Sequence, residues 1–284
     1  LLNILRQLMG WMIIIIMSFG ASASTRLETE LRRVVPVDTD IVILEEAQGQ
    51  FPALMQSAVR AEPLGAILLL TDTQSQQQWL DQSHAIRIHL ADHGWLTMTL
   101  PLPITPVKTD LHSDEVYDEL LNQHQQQVIS RIQTGLQQLD EERILILAMG
   151  RSAEWAARVL QDNNPSIRLI IINPRPADDQ HPMRLLDHLT ALEITIIDLY
   201  REPYSAGKQA IPDARLRRNA MIQAGHANYH QQVIKDAIWG NETDLLKRQL
   251  RGVINTYIIL ADQKRAQQAP EALEVDERPP GVRR

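Results

Sequence analysis

Near-continuous apolar runs recur along the chain at Leu64–Thr73 (LGAILLLTDT), Arg143–Gly150 (RILILAMG), Pro165–Pro176 (PSIRLIIINPRP) and Glu193–Tyr200 (EITIIDLY). Runs of this length, rich in Ile and Leu and bounded by polar or breaker residues, are expected of strands covered on both faces. A further run, Trp95–Pro103 (WLTMTLPLP), is closed by prolines, which cannot donate to a strand ladder. Between these runs the apolar residues fall at helical spacing. Leu80, Ile86 and Leu90 share a face ahead of the breaker Gly94, and a long polar-faced helix is predicted from Val116 to Leu139. Further helices are predicted over SAEWAARVL (152–160), HPMRLLDHLTAL (181–192) and DARLRRNAMIQAG (213–225). The segment NYHQQVIKDAIWG (228–240) contains a short strand, and ETDLLKRQLRGVINTYII (242–259) closes the pattern as an amphipathic helix. Two apolar runs around Gly49 predict a hairpin whose turn falls in AQGQ (47–50).

Strands alternating with helices, without a repeat period, predict an α/β domain: a mainly parallel sheet flanked by helices, with the N-terminal hairpin antiparallel at one edge. No linker interrupts the pattern, so one domain is expected over residues 24–260. From Ala261 the chain has few apolar residues and three prolines, which predicts a disordered tail over 261–284.

The amino terminus adds a compartment. It carries Arg6, an apolar stretch from Leu8 to Phe19, and Ala21-Ser22-Ala23, which fits the small-residue rule for signal-peptide cleavage. The apolar stretch is shorter than the ~20 residues a spanning helix needs. Residues 1–23 therefore read as a signal peptide, and the destination as the periplasm or the exterior. Left uncleaved, this segment would be the only contact with a membrane. A formal charge of -7 leaves no basic face for nucleic acid. The absence of cysteine excludes disulfides, thiolate metal sites and a cysteine nucleophile.

The blocks GAILLLTDT, LADHGWLTMTLPLP, RILILAMGRSAEWAARVL and NYHQQVI followed by LLKRQLRGVI span Leu64 to Ile254. In them the chain resembles the α/β-hydrolase fold and, more narrowly, an uncharacterised family of exported bacterial proteins with a hydrolase-like domain, a domain of unknown function. That resemblance implies a nucleophile in G-x-S-x-G at the sharp turn from strand to helix. Aligned from Arg143, the pattern puts Ala148 and Ser152 on the small flanking positions and Gly150 on the nucleophile. Glycine has no side chain with which to attack. The alternative reads GRSAE as the motif and makes Ser152 the nucleophile, with Glu154 replacing the second glycine.

The other parts of a triad are sought in the same way. The acid is expected after EITIIDLY, where Asp198 and then Glu202 stand. The base is expected after the last strand, where Trp239 and its neighbours stand instead of a histidine; His226 and His230 lie before or inside that strand. The loop after GAILLL, which would supply an oxyanion donor, is TDTQSQQQW and holds no glycine. His89 and His93 stand four apart, half of a metal site, but no H-E-x-x-H motif accompanies them, and no metal is expected. Neither a P-loop nor a G-x-G-x-x-G fingerprint follows any strand, so no cofactor is expected. The cluster RLRRNA (215–220) reads as a charged helix surface.

The leading expectation is a non-catalytic hydrolase-like protein, a binding or assembly module for a small molecule or an envelope protein. The alternative is a serine carboxylic-ester hydrolase built on Ser152 with His226 or His230 and Asp198. The glutamine-rich helix from Gln123 to Gln138 offers a polar face to a structural partner.

Overall fold

The apolar runs form the middle of an eight-stranded sheet, which a computed structural model describes for residues 28–72, 78–161, 166–201, 212–234 and 242–268. The strands are β1 (Asp40–Glu46), β2 (Gly49–Gln56), β3 (Ala66–Leu70), β4 (Leu96–Leu100), β5 (Ile144–Met149), β6 (Arg168–Ile172), β7 (Ile196–Tyr200) and β8 (Tyr229–Val233). Their order across the sheet is β1-β2-β4-β3-β5-β6-β7-β8. The hairpin β1–β2 joins β4 antiparallel, and every pairing from β4 to β8 is parallel. The five residues of β3 are all buried, as a central strand with helices on both faces requires. The polar sequence of β8 suits its place at the sheet's edge.

The helices are α1 (Gln78–Asp92), α2 (Asp114–Gln138), α3 (Ser152–Gln161), α4 (Arg184–Thr190), α5 (Ala214–Gln223), α6 (Glu242–Ile254) and α7 (Leu260–Gln268). A π-helical turn, Asn255–Ile259, joins α6 to α7. One face of the sheet, carrying Leu68, Ile146, Ala148 and Ile171, packs on Val128 and Ile132 of α2, Ala156 and Ala157 of α3, Leu185 of α4 and Met221 of α5. The other face, carrying Ile67, Leu145, Leu147 and Ile197, packs on Ile86 and Leu90 of α1, Leu250 and Val253 of α6 and Ile258. Local chemistry sets the boundaries. Ser113 caps α2 by accepting from Val116 N, and Asp213 caps α5 by accepting from Leu216 N. Gly94, at φ +92°, ends α1 while Trp95 N donates back to Leu90 O, a six-to-one closure.

The chain stays ordered past the expected start of the tail. The helix α7 continues to Gln268, and Asp262 on it accepts from Arg143 Nε at 3.0 Å and Arg168 Nη2 at 2.8 Å. A carboxylate shared by the N-terminal ends of β5 and β6 fixes this segment despite its lack of apolar residues. Residues 269–284 lie outside the described residues, as do residues 1–23, read above as a signal peptide. Among the described residues, no helix is long and apolar enough to cross a membrane.

Candidate functional site

Ligands of open α/β sheets bind beyond the strand C-termini, so the residues that end β3, β5, β6 and β7 matter most. Gly150 follows β5 at φ +58°, the left-handed region that glycine enters without a Cβ penalty. Its N–H donates to Ile172 O at 3.0 Å and its carbonyl accepts from Arg175 N at 3.0 Å, so the turn is tied to β6 on both sides. A Cβ at Gly150 would stand 2.2 Å from Asp72 Oδ2. The space a nucleophile's side chain needs is therefore filled by a carboxylate from the loop after β3. Arg151 N, the donor that in a hydrolase would face the oxyanion, points at Asp72 Oδ1 at 3.4 Å.

Ser152 opens α3 and is fully buried. Its hydroxyl accepts from Met149 N at 2.9 Å and lies 2.9 Å from both Leu70 O and Met149 O, to which it donates. These bonds join the ends of β3 and β5 below the turn. Glu154, in the same first turn of α3, is also buried and accepts from Ala177 N at 2.7 Å. Burial pushes its carboxyl up to about 7, against the opposing effect of that hydrogen bond.

Asp198, the candidate acid, is fully buried and engaged on both oxygens. Arg217 grips it in a fork, Nε to Oδ2 at 2.7 Å and Nη2 to Oδ1 at 3.0 Å. The hydroxyl of Tyr229 and the amide of Gln231 also donate to Oδ2. Arg217 Nη1 donates to Pro212 O, so the guanidinium is held from the other side too. Burial, then the adjacent Asp198 charge, pushes the Tyr229 hydroxyl far above its ordinary range. Arg217 is thus a buried partner, only 3% exposed, where the sequence reading placed a charged helix surface. The signal was Asp198 itself, because a carboxylate inside an apolar run needs a cation.

The candidate histidines do not approach the turn. His230 lies on β8, three strand spacings from β5, or about 14 Å. In register it stands beside Ile197 and stacks on Tyr257 at 4.0 Å between ring centroids, on the face opposite Asp198. His226 precedes β8 at the sheet's N-terminal end, edge-on to Tyr229. Its ring nitrogens are buried without a hydrogen-bond partner among the described residues. Glu202 and Trp239 lie outside the described residues. Among those described, no three metal-ligating side chains converge; His89 and His93 lie ring to ring at 4.3 Å.

Above the turn lies a cleft of about 500 Å³, lined by the loop after β4 (Ile104 to Lys108), Tyr117 and Leu121 of α2, Arg151, and Ala177–Gln180 after β6. Its charges are matched in place. Arg151 Nη2 meets Asp179 at 3.0 Å, Arg184 meets Asp178 at 3.8 Å, and Lys108 pairs with Asp114.

Residues 20–116 and 105–256 match the family described as Protein of unknown function (DUF3530). No curated protein matches the chain. Among solved structures, the chain is similar to a putative dienelactone hydrolase from Klebsiella pneumoniae, at 15% identity and a TM-score of 0.53, over 75% of this chain and 96% of that one. It is also similar to the esterase domain of a Rhodothermus marinus protein, at 12% identity and a TM-score of 0.53, over 76% and 97%. An esterase from Pyrococcus furiosus shares 10% identity at a TM-score of 0.54, over 78% and 92%. The architecture is that of the α/β-hydrolases.

Proposed function

We propose that this chain, which belongs to the family described as Protein of unknown function (DUF3530), uses its hydrolase fold to bind a ligand and not to cleave one. The observation that carries this reading is Gly150 at the strand-to-helix turn with the Asp72 carboxylate in its side-chain space. An acyl-transfer site needs a hydroxyl at that point, an imidazole within about 3 Å of it, and free donors for the developing oxyanion. Here the first is replaced by hydrogen. The histidines considered lie elsewhere in the sheet, and the backbone donor at Arg151 faces an anion of the protein's own.

A serine esterase using Ser152 has little support. Its hydroxyl is buried and spends its hydrogen bonds on strand ends. The cleft above the turn suits a neutral small molecule, because its cations and carboxylates already meet one another while Ile104, Val107 and Leu121 give it an apolar wall. The amino-terminal pattern of Arg6, an apolar stretch and Ala21-Ser22-Ala23 supports export, with a small molecule or an envelope protein as partner.

The test is direct. The full chain, incubated with a fluorophosphonate and with short acyl esters, is expected to take no label and to hydrolyse nothing above background. Labelling that disappears in Ser152→Ala would overturn the proposal.

A further inference from the structure

The opposite, N-terminal end of the sheet holds a second cleft, of about 520 Å³. It lies between the end of α1, the approaches to β3 and β4, and α6 with its π-helical turn. Its volume falls in the range of small-molecule sites. Leu64, Leu90, Trp95, Ile254 and Ile259 give it an apolar wall, and Arg248 and Arg251 give it a cationic rim beside the imidazole of His93. Gly252 keeps the space open, since nothing lies within 4 Å of where its Cβ would stand. The wall formed by Asn255 and Ile259 belongs to the π-helical turn, a geometry found mostly where function repays its poorer hydrogen bonding.

Among the described residues the charge on this rim is only partly compensated, by Asp244 beside Arg248 and His89 and by Asp92 beside His89. Lys247 is paired with Asp244 at 2.7 Å, and Arg248 Nε donates only to the backbone carbonyl of Asp244. Arg251 makes no hydrogen bond or ion pair with any described residue. Behind it, His89 Nε2 is buried without a hydrogen-bond partner among the described residues. Burial holds the His89 imidazole below its ordinary range, helped by the charges of His93, Lys247 and Arg251, with Asp92 opposing. Arg248 and Arg251, close together on α6 beside an apolar wall, repel one another until an anion arrives.

We propose that this cleft binds an amphiphilic anion, with a carboxylate or phosphate head held by Arg251, Arg248 and His93 and an apolar chain laid along Trp95, Leu90 and Ile254. The site is separate from the cleft above Gly150, at the other end of the strands, and its ligand is of a different charge class.

Isothermal titration of the full chain with decanoate, decyl phosphate, decanol and acetate tests the proposal. Decanoate or decyl phosphate is expected to saturate one site, and the tighter of the two identifies the head group. Decanol should bind about tenfold more weakly or worse, and acetate not at all. The double variant Arg248→Ala/Arg251→Ala should lose about tenfold for the anions and nothing for decanol. Gly252→Leu fills the cleft with a better helix former, and should abolish binding of every chain-bearing probe with no loss in Tm. Arg151→Ala, in the other cleft, should bind decanoate as the parent does. The proposal is overturned if neither anion saturates, if decanol binds as tightly as decanoate, or if Gly252→Leu binds unchanged.

Discussion

The two clefts at the ends of this sheet use charge in opposite ways. At the C-terminal end, where an enzyme of this fold would keep unmatched groups aimed at a substrate, polar groups hold the protein to itself. Ser152 joins β3 to β5, Gly150 joins β5 to β6, and Asn173, at φ +46°, joins β6 to β7 through Leu199 O and Arg201 N. Asp198 is occupied by Arg217, Tyr229 and Gln231, and Arg151 by Asp72 and Asp179. At the N-terminal end, Arg251 and His89 Nε2 have no hydrogen-bond or ion-pair partner among the described residues, beside an apolar cleft. Unmatched buried or clustered charge is costly, and it persists where a ligand completes it. The second site has therefore to be sought by electrostatics, because fold analogy points only to the other end of the strands.

If the charges at the C-terminal end serve stability, breaking them should cost stability and nothing else. Asp198→Ala leaves Arg217 buried without a counter-charge and is expected to lower unfolding free energy by about 3–5 kcal/mol, read from urea denaturation. Replacing both partners, as Asp198→Leu with Arg217→Met, should recover much of that loss. A loss below about 1 kcal/mol for the single variant would mean that the fork is not structural.

Gly150→Ser restores a hydroxyl to the turn yet forces a side chain into the left-handed region and against Asp72. It is expected to cost roughly 2–4 kcal/mol and to give no ester hydrolysis. Gain of activity would show that an imidazole reaches the turn after all.

Glu154 provides a pH signature. Its carboxyl is raised from an ordinary value of 4.5 to about 7, so the folded state holds the proton more tightly than the unfolded one. That contribution is complete below pH 4.5 and is lost as pH rises through about 7. Glu154→Gln, which can still accept from Ala177 N, should match the parent near pH 5 and exceed it at pH 8 by about 2–3 kcal/mol. Parallel stability profiles for the two proteins between those pH values would refute this.

Much of the fold was legible because its causes are local. The runs in β3, β5, β6 and β7, the breaker at Gly94 and the turn before Gly49 act within a few residues, and they set strand order through the handedness of the crossovers. The bend at Gly150 was legible for the same reason. The occupant of that bend was not, because Asp72 reaches it from the loop after β3, 79 positions before Arg151, whose N–H it accepts. Arg217 was misread as surface because helical spacing alone does not tell which of three arginines in RLRR meets Asp198. The helix α7 was missed because Asp262, and not an apolar stripe, fixes it. Long-range polar pairing leaves no periodic trace. For the same reason the cationic cleft, assembled from residues near 93 and near 250, had no motif to announce it.

The smallest expected effect separates the two ends most cleanly. Arg217 and Arg251 are both helix arginines, but one is buried in a fork and the other is exposed, without a hydrogen bond or ion pair among the described residues. Arg251→Ala should change unfolding free energy by no more than about 0.5 kcal/mol in urea, as expected for a surface position that supports nothing. Relief of like-charge repulsion with Lys247, four residues away on α6, favours a slight gain at low salt, which should fade as ionic strength rises. A loss above about 1 kcal/mol would place Arg251 in the protein's own charge network, and the cleft would then have no unmatched cation with which to recruit an anion.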